Sequence, residues 1–285
     1  MFDHSGAADH AAVLQHAWTR ADSVRQGSGA SAHLLGSVLY GGRGAPGAAD
    51  VHVPLDAAEG AAWKECWYSP VPVKNVQDGP LLARHNPHVM WGCFSLPVLP
   101  GQSCAAAVRQ HYLHLLHFLQ QTGFVHLWRI WNFIPHINVL DEHGQETYRA
   151  FNQGRAAAFE QIFDNGGRAM PGATRHMPAA TGVGCQSNEL HVCFLAGRQP
   201  GRHIENPRQQ PAYHYPEEYG PRPPGFARAS CVDVQGHPML FVSGTASIIG
   251  HQTVHTGNLK DQCCTAVENL RIVAARTGRS LQQLT

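Results

Sequence analysis

The sequence predicts an α+β chain with mixed sheets packed against helices. Three observations point there. Stretches with helical apolar spacing are few and well separated; short aromatic and β-branched runs lie between them; and a strand-plus-helix block ending near Gly197 is followed by another starting near Arg202. The two blocks suggest two related halves, although "PAATGVG" and "SGTASIIG" are only weakly alike. With 285 residues and 43% hydrophobic content, the chain has enough material for a real core.

Residues 1–30, rich in Ala, Gly, Ser and His, are expected to be poorly anchored, so that one domain covers 31–200 and a second 201–285. "AHLLGSVLYGG" at 32–42 reads as a first strand, and the Gly- and Pro-rich stretch 43–100 as strands and loops. At 103–123 the spacing predicts a helix, with Ser103 as N-cap, Val108, Tyr112, Leu115 and Leu119 on one stripe, and Gly123 just past the end. "HLWRIWNFIPHIN" at 126–138 is aromatic and β-branched enough for a strand. A second helix carries Tyr148, Phe151, Phe159 and Ile162 on its apolar side. Near the C-terminus, "ARASCVDVQGHPMLFVSG" predicts two strands joined at Gln235-Gly236, with "HPMLFV" buried. The loop 243–257 follows, and then a third helix whose stripe is Leu259, Cys263, Val267, Leu270 and Val273.

Composition excludes several functions. Charged residues make up only 14% and the formal net charge is +1, which offers nothing to a nucleic acid or a membrane surface. Lys64, Lys74 and Lys260 are the only lysines, so cationic contacts fall to arginine, whose planar fork matches a carboxylate. No secretory signal or membrane span is legible, and the chain reads as soluble and cytoplasmic. The eight cysteines include no C-x-x-C and are read as buried free thiols. His111, His114 and His117, and His251 with His255, lack the partners a metal helix or loop would need, so no metal is expected. Dinucleotide, P-loop and serine-hydrolase motifs are absent. The densest polar stretch, "ENPRQQPAYHYPEEYGPRPPGFARA" at 205–229, places arginine forks and phenols at close intervals on a proline-stiffened backbone.

Taken in order, "RIWNFIPHIN", "YRAFNQGR", "PAATGVG", the 205–229 segment and "FVSGTASIIGHQTVHTGN" resemble the chorismatase family, also called pteridine-dependent deoxygenase-like proteins, from about Leu34 to the C-terminus. The resemblance implies a pair of Rid-like (chorismate-mutase-like) domains. It also implies a site without metal or nucleotide cofactor that cleaves the enolpyruvyl ether of chorismate, releasing pyruvate with a 3- or 4-hydroxybenzoate or a dihydroxycyclohexadiene carboxylate. Chorismate is a dicarboxylate, so Arg155, Arg208, Arg222 and Arg228 become candidate clamps, and Tyr148 and Tyr215 candidate partners for its oxygens. Gln252 takes the place where the family usually has Glu after Gly-His, at the strand end expected to deliver a proton. An amide cannot hand over a proton at neutral pH. Either His251, His255 or Glu205 replaces it, or an elimination to 4-hydroxybenzoate dispenses with it, or turnover is lost and a binding paralogue remains. An imine deaminase is the other reading the fold allows. Family members continue past the third helix, whereas this sequence stops at "RSLQQLT", so the second half is expected to be incomplete and the chain monomeric unless it completes its sheet with another copy.

Overall fold

A computed structural model describes residues 14–20, 32–42, 50–55, 62–164 and 177–284. The strands of the first block are β1 (Gln15–Arg20), β2 (His33–Tyr40), β3 (Val51–Val53), β4 (Trp63–Ser69), β5 (Lys74–Asp78), β6 (Leu81–His85) and β7 (Val89–Pro97). They lead to α1 (Ala105–Thr122), β8 (His126–Pro135), α2 (Thr147–Asp164), β9 (Ala179–Cys185) and β10 (Glu189–Gly197). The second block has β11 (Arg202–Ile204), β12 (Ala229–Val234), β13 (His237–Val242), the short pair β14 (Ile248–Ile249) and β15 (Gln252–Thr253), and α3 (Leu259–Ala275).

A six-stranded sheet, ordered β5-β6-β7-β10-β8-β9, forms the middle layer; only β8 and β9 run parallel. Strand alternation sorts its side chains between two cores. Met90, Phe94 and Leu96 of β7, with Val192 and Phe194 of β10, face α1 and α2. Val89, Trp91 and Cys93, with Cys193 and Leu195, face a four-stranded sheet ordered β1-β4-β2-β3 together with β12 and β13. Both faces of the middle sheet are covered, which explains why β7 and β10 read as almost continuous apolar runs.

The expected helix over 103–123 forms two residues later, at Ala105. Ser103 is not its cap: the Ser103 amide is bound to Glu142 Oε2 at 2.8 Å, and Cys104 takes the cap position without a side-chain hydrogen bond. Gly123 ends the helix at φ 74°, in the left-handed region that glycine enters without strain. Within 1–30, Gln15–Arg20 pair with β4, where His16 packs on Trp67 and Trp18 on Tyr40. Residues 1–13 and 21–31 lie outside the described residues.

The second block docks on the outer edge of β9. The Ala227 amide donates to Pro178 O at 3.1 Å and the Gly244 amide to Ala180 O at 3.2 Å. Two buried serines complete the seam: Ser230 Oγ accepts from the Ala179 amide at 2.9 Å, and Ser243 Oγ from the Ala180 amide at 2.8 Å. The β12–β13 hairpin turns at Gln235 (φ 54°) and Gly236 (φ 83°), the paired positive angles that a two-residue turn between twisted strands requires. β13 is the edge of its three-stranded sheet, so "HPMLFV" buries only Phe241 fully. The expected stripe of α3 holds only at its end: Val273 is buried and Leu270 partly so, but Leu259, Cys263 and Val267 are exposed, and the helix also buries Thr265, Asn269 and Ala274. Cys263 and Cys264 are therefore surface thiols, whereas Cys66, Cys93, Cys104 and Cys193 are buried. No helix among the described residues is long and apolar enough to cross a membrane.

Candidate functional site

A cavity of about 480 Å³ opens where the second block meets β9. Its floor is Ala180–Val183 of β9, one wall is α2, and the rest comes from the 215–228 segment, Gly244–Ala246 and the β14–β15 turn. A roomier depression of about 690 Å³, lined by Leu55, 136–139 and 184–188, holds no Arg, Lys, Asp or Glu and offers little chemistry.

On α2, Tyr148, Asn152 and Arg155 stand at i, i+4 and i+7 and so share the face turned to the cavity. Arg155 is only 4% exposed. Its guanidinium lies over Phe159 at 5.0 Å and Tyr112 at 5.6 Å, and one nitrogen donates to Gly225 O. Nε and Nη2 have no hydrogen-bond partner among the described residues. Burial pushes the Tyr148 phenol up, while the Asn152 hydrogen bond and the Arg155 charge pull it back.

Arg228 precedes β12 and is 2% exposed. Its Nη2 donates to Gln210 O at 3.0 Å and to the Tyr215 hydroxyl at 2.9 Å, while Nε is unpartnered among the described residues. Stacking on Phe226 at 5.0 Å holds the plane of the fork. Tyr215 in turn packs against Tyr219 at 5.3 Å, and the Tyr219 hydroxyl shares a 3.1 Å hydrogen bond with His251 Nδ1. Glu218 Oε1 is 3.7 Å from the same nitrogen. An unpaired donor on a buried cation costs free energy unless something binds it. Arg155 and Arg228 each carry such a donor, and both residues line the same cavity.

Of the residues singled out from sequence, Tyr148, Arg155, Tyr215 and Arg228 line this cavity together with His251. Arg208, Arg222 and Gln252 do not. Arg208 lies in a surface cleft with Cys263, Cys264, Glu268 and Arg271 of α3. Arg222 is half exposed and paired with Glu160 of α2 at 3.1 Å. In the β14–β15 pair, Ile248 is opposite Thr253 and Ile249 opposite Gln252. Side chains alternate along a strand, so with Ile248 and Thr253 lining the cavity, Gln252 is on the other face and exposed. Glu205, outside the lining, has its carboxyl pushed up to about 7 by burial, against the pull of Arg228. Sequence reasoning passed over Asn152, Arg149 and Thr181, all in the lining. The helical spacing of Asn152 to Tyr148 and Arg155 was the signal for the first of these. Among the described residues no group of three or more His, Cys, Asp or Glu converges as a metal site would.

Residues 65–196 match the family described as Chorismatase FkbO/Hyg5-like, N-terminal. The chain is 43% identical over 184 residues to a 3-hydroxybenzoate synthase of Streptomyces hygroscopicus, which covers 62% of this chain and 51% of that protein. It is 37% identical over 237 residues to a chorismatase of Streptomyces hygroscopicus, covering 82% of this chain and 65% of the relative. The chain thus spans between half and two-thirds of the length of these curated relatives. A solved chorismatase crystal structure superposes with a TM-score of 0.80 at 31% identity, over 94% of this chain and 80% of that one. A shared fold alone would leave function open, but this likeness extends to sequence on both sides of the cavity, through the sheet, α2 and the arginine-bearing segment, and the chain belongs to the chorismatase family.

Proposed function

We propose that the cavity binds chorismate and converts it to a hydroxybenzoate with release of pyruvate. The observation that supports this most directly is the pair of buried arginines, Arg155 and Arg228, which both line one cavity large enough for a ring carrying two carboxylates and whose hydrogen-bonding capacity the protein leaves partly unmet. Hydrogen bonds to a charged group contribute about 1.5–3 kcal/mol each, enough to hold a dicarboxylate that two such residues recognise. Tyr148 and Tyr215 offer phenols to the remaining oxygens. Chorismate splits into hydroxybenzoate and pyruvate without net gain or loss of water, so neither an oxidant nor a nucleotide is required. To become pyruvate, the enolpyruvyl group must gain a proton on its vinyl methylene carbon, either before the ether is cleaved by hydrolysis or after enolpyruvate has left by elimination.

His251 fits that proton transfer better than Gln252 in this chain. It lines the cavity, and the Tyr219 hydroxyl occupies Nδ1, which leaves Nε2 for the substrate. The lining carboxylate, Glu146, is instead held by Arg149 at 3.3 Å. The relative at 43% identity bears the name 3-hydroxybenzoate synthase, so the 3-isomer is the product expected here.

The test is incubation of the purified chain with chorismate, with pyruvate followed by a coupled assay and aromatic products resolved by chromatography. Equal amounts of pyruvate and hydroxybenzoate are expected, and His251→Ala should lower kcat by about 100-fold or more while benzoate-type ligands still bind. Tight binding of chorismate or a benzoate without any pyruvate would instead identify a binding paralogue. No binding at all would remove the reading.

A further inference from the structure

A carboxylate outside the cavity lining stands behind the imidazole just described. Glu218 and Tyr219 belong to the short 3-10 helix Glu217–Tyr219, which the chain leaves through Gly220 at φ 131°. Both side chains meet the same nitrogen of His251: the Tyr219 hydroxyl is 3.1 Å from Nδ1, and Glu218 Oε1 is 3.7 Å from it. The His251 ring also packs edge to face with Tyr219 at 5.7 Å and with Tyr215 at 6.5 Å. Tyr215 and Tyr219 line the cavity, so the imidazole itself, and not only its main chain, sits among the lining side chains. Glu218 does not line the cavity and its side chain is 64% exposed.

A carboxylate can only accept hydrogen bonds, a phenol has one proton to give, and a neutral imidazole carries its proton on one nitrogen or the other. Loss of solvation, the negative charge of Glu218 and a hydrogen bond to it push the Tyr219 phenol up, so the phenol keeps its proton and directs it to the carboxylate. Its lone pairs are left to face Nδ1. A proton on Nδ1 then satisfies the phenol oxygen and lies towards the Glu218 charge, whereas a bare Nδ1 would set lone pair against lone pair. The remaining titratable neighbour, Tyr215, meets His251 through its ring and has its oxygen engaged by Arg228. With the proton held on Nδ1, Nε2 keeps its lone pair. Making the chorismate ring aromatic releases a proton from a ring carbon, and the enolpyruvyl group needs one, so a bare Nε2 can take the first and deliver the second.

We propose that Tyr219 and Glu218 are positioning residues for His251, which hold its proton on Nδ1 and present a bare Nε2 to the substrate. This rests on reading His251 as the group that carries the proton. Glu218 acts only through Tyr219 and His251 and touches no substrate atom.

The experiment compares wild type, Glu218→Gln, Tyr219→Phe and the double variant Glu218→Gln/Tyr219→Phe. One readout is nitrogen NMR of protein labelled at histidine, at about pH 8, where an ordinary imidazole is neutral. The His251 signals are identified by their loss in His251→Ala. The other readout is kcat and KM for chorismate. Wild type should carry the proton on Nδ1, the tautomer that a free imidazole in water disfavours. Glu218→Gln introduces an amide that can donate where the carboxylate could not, and Tyr219→Phe removes the phenol, so each should move the His251 proton towards Nε2. Glu218→Gln should lower kcat by about 10-fold with KM within about twofold, because its side chain is outside the lining. The double variant should lose little more than the poorer single one, since both act through one nitrogen. A wild-type proton on Nε2, or a tautomer unchanged in both single variants, overturns the relay. Turnover by Glu218→Gln equal to wild type overturns the role of Glu218. A wild type that does not turn over chorismate overturns the reading beneath and with it the catalytic purpose of the relay, whereas an active wild type with its proton on Nε2 overturns this inference alone.

Discussion

Gln252 shows how a single alternation of the backbone decides what a residue can do. It is exposed on the face of the β14–β15 pair opposite to Ile248 and Thr253. Gln252→Glu is therefore expected to leave turnover and product ratio within about twofold of wild type, since a surface carboxylate is screened by water. A pH-rate profile with products resolved checks this, and a marked gain would place position 252 in the chemistry. Glu205 behaves differently because it is partly buried beside Arg228. Its carboxyl is pushed from the ordinary 4.5 up to about 7, so its ionisation opposes folding. The stability tied to this group is fully present below its unfolded pKa and is lost as pH rises through the folded value. Glu205→Gln should accordingly raise the unfolding midpoint at about pH 8 more than at about pH 4, and the same gain at both would refute the shift.

The element that presents the site, α2, is held by close contact with α1 as well as by its apolar stripe. Gly154 sits where the two helices meet: a β-carbon there would come within 2.2 Å of Ala105 O and 3.0 Å of Val108 Cβ. Backbone cannot give way as a flexible side chain does, so Gly154→Ala must push the helices apart. The expected cost is about 1–3 kcal/mol, measured by denaturant unfolding. Arg155 is the next residue, and affinity for a benzoate-type ligand should fall with it. An unchanged midpoint would mean that the helices shift without strain. The intrinsic preference of Ala over Gly in a helix, roughly 1 kcal/mol, works in the opposite direction and sets the margin the clash must exceed.

At the scale of the molecule, the cavity exists because a second block closes the edge of β9. Ser243 links the two, accepting from the Ala180 amide at 2.8 Å and donating to Ala227 O. It is 2% exposed, so water cannot replace it. Ser243→Ala leaves the Ala180 amide without its acceptor and should cost about 1–3 kcal/mol. Turnover should fall with it, because Gly244 to Ala246 form part of the lining next door. Full stability and full activity together would show that the seam is held by the main chain alone.

The sequence by itself determined what depends on neighbours along the chain. The helical spacing of Tyr148, Phe151, Phe159 and Ile162, the stop at Gly123 and the turn at Gln235-Gly236 are local matters of side-chain period and backbone angle. Arginines and phenols clustered in 205–229 were equally visible as a binding segment. Only the tertiary structure decided which of them share a cavity. Arg155 and Arg228 are brought to one pocket by the docking of the second block on β9, while Arg208 turns to α3 and Arg222 to a surface pair with Glu160. The position of Gln252, one residue out of phase with the lining, and the hydrogen bond to Thr181 from an arginine of the neighbouring strand β8 were beyond local reading for the same reason. Such contacts join residues far apart in the chain, and their geometry is set by which edges and faces remain to be covered once the sheets have formed.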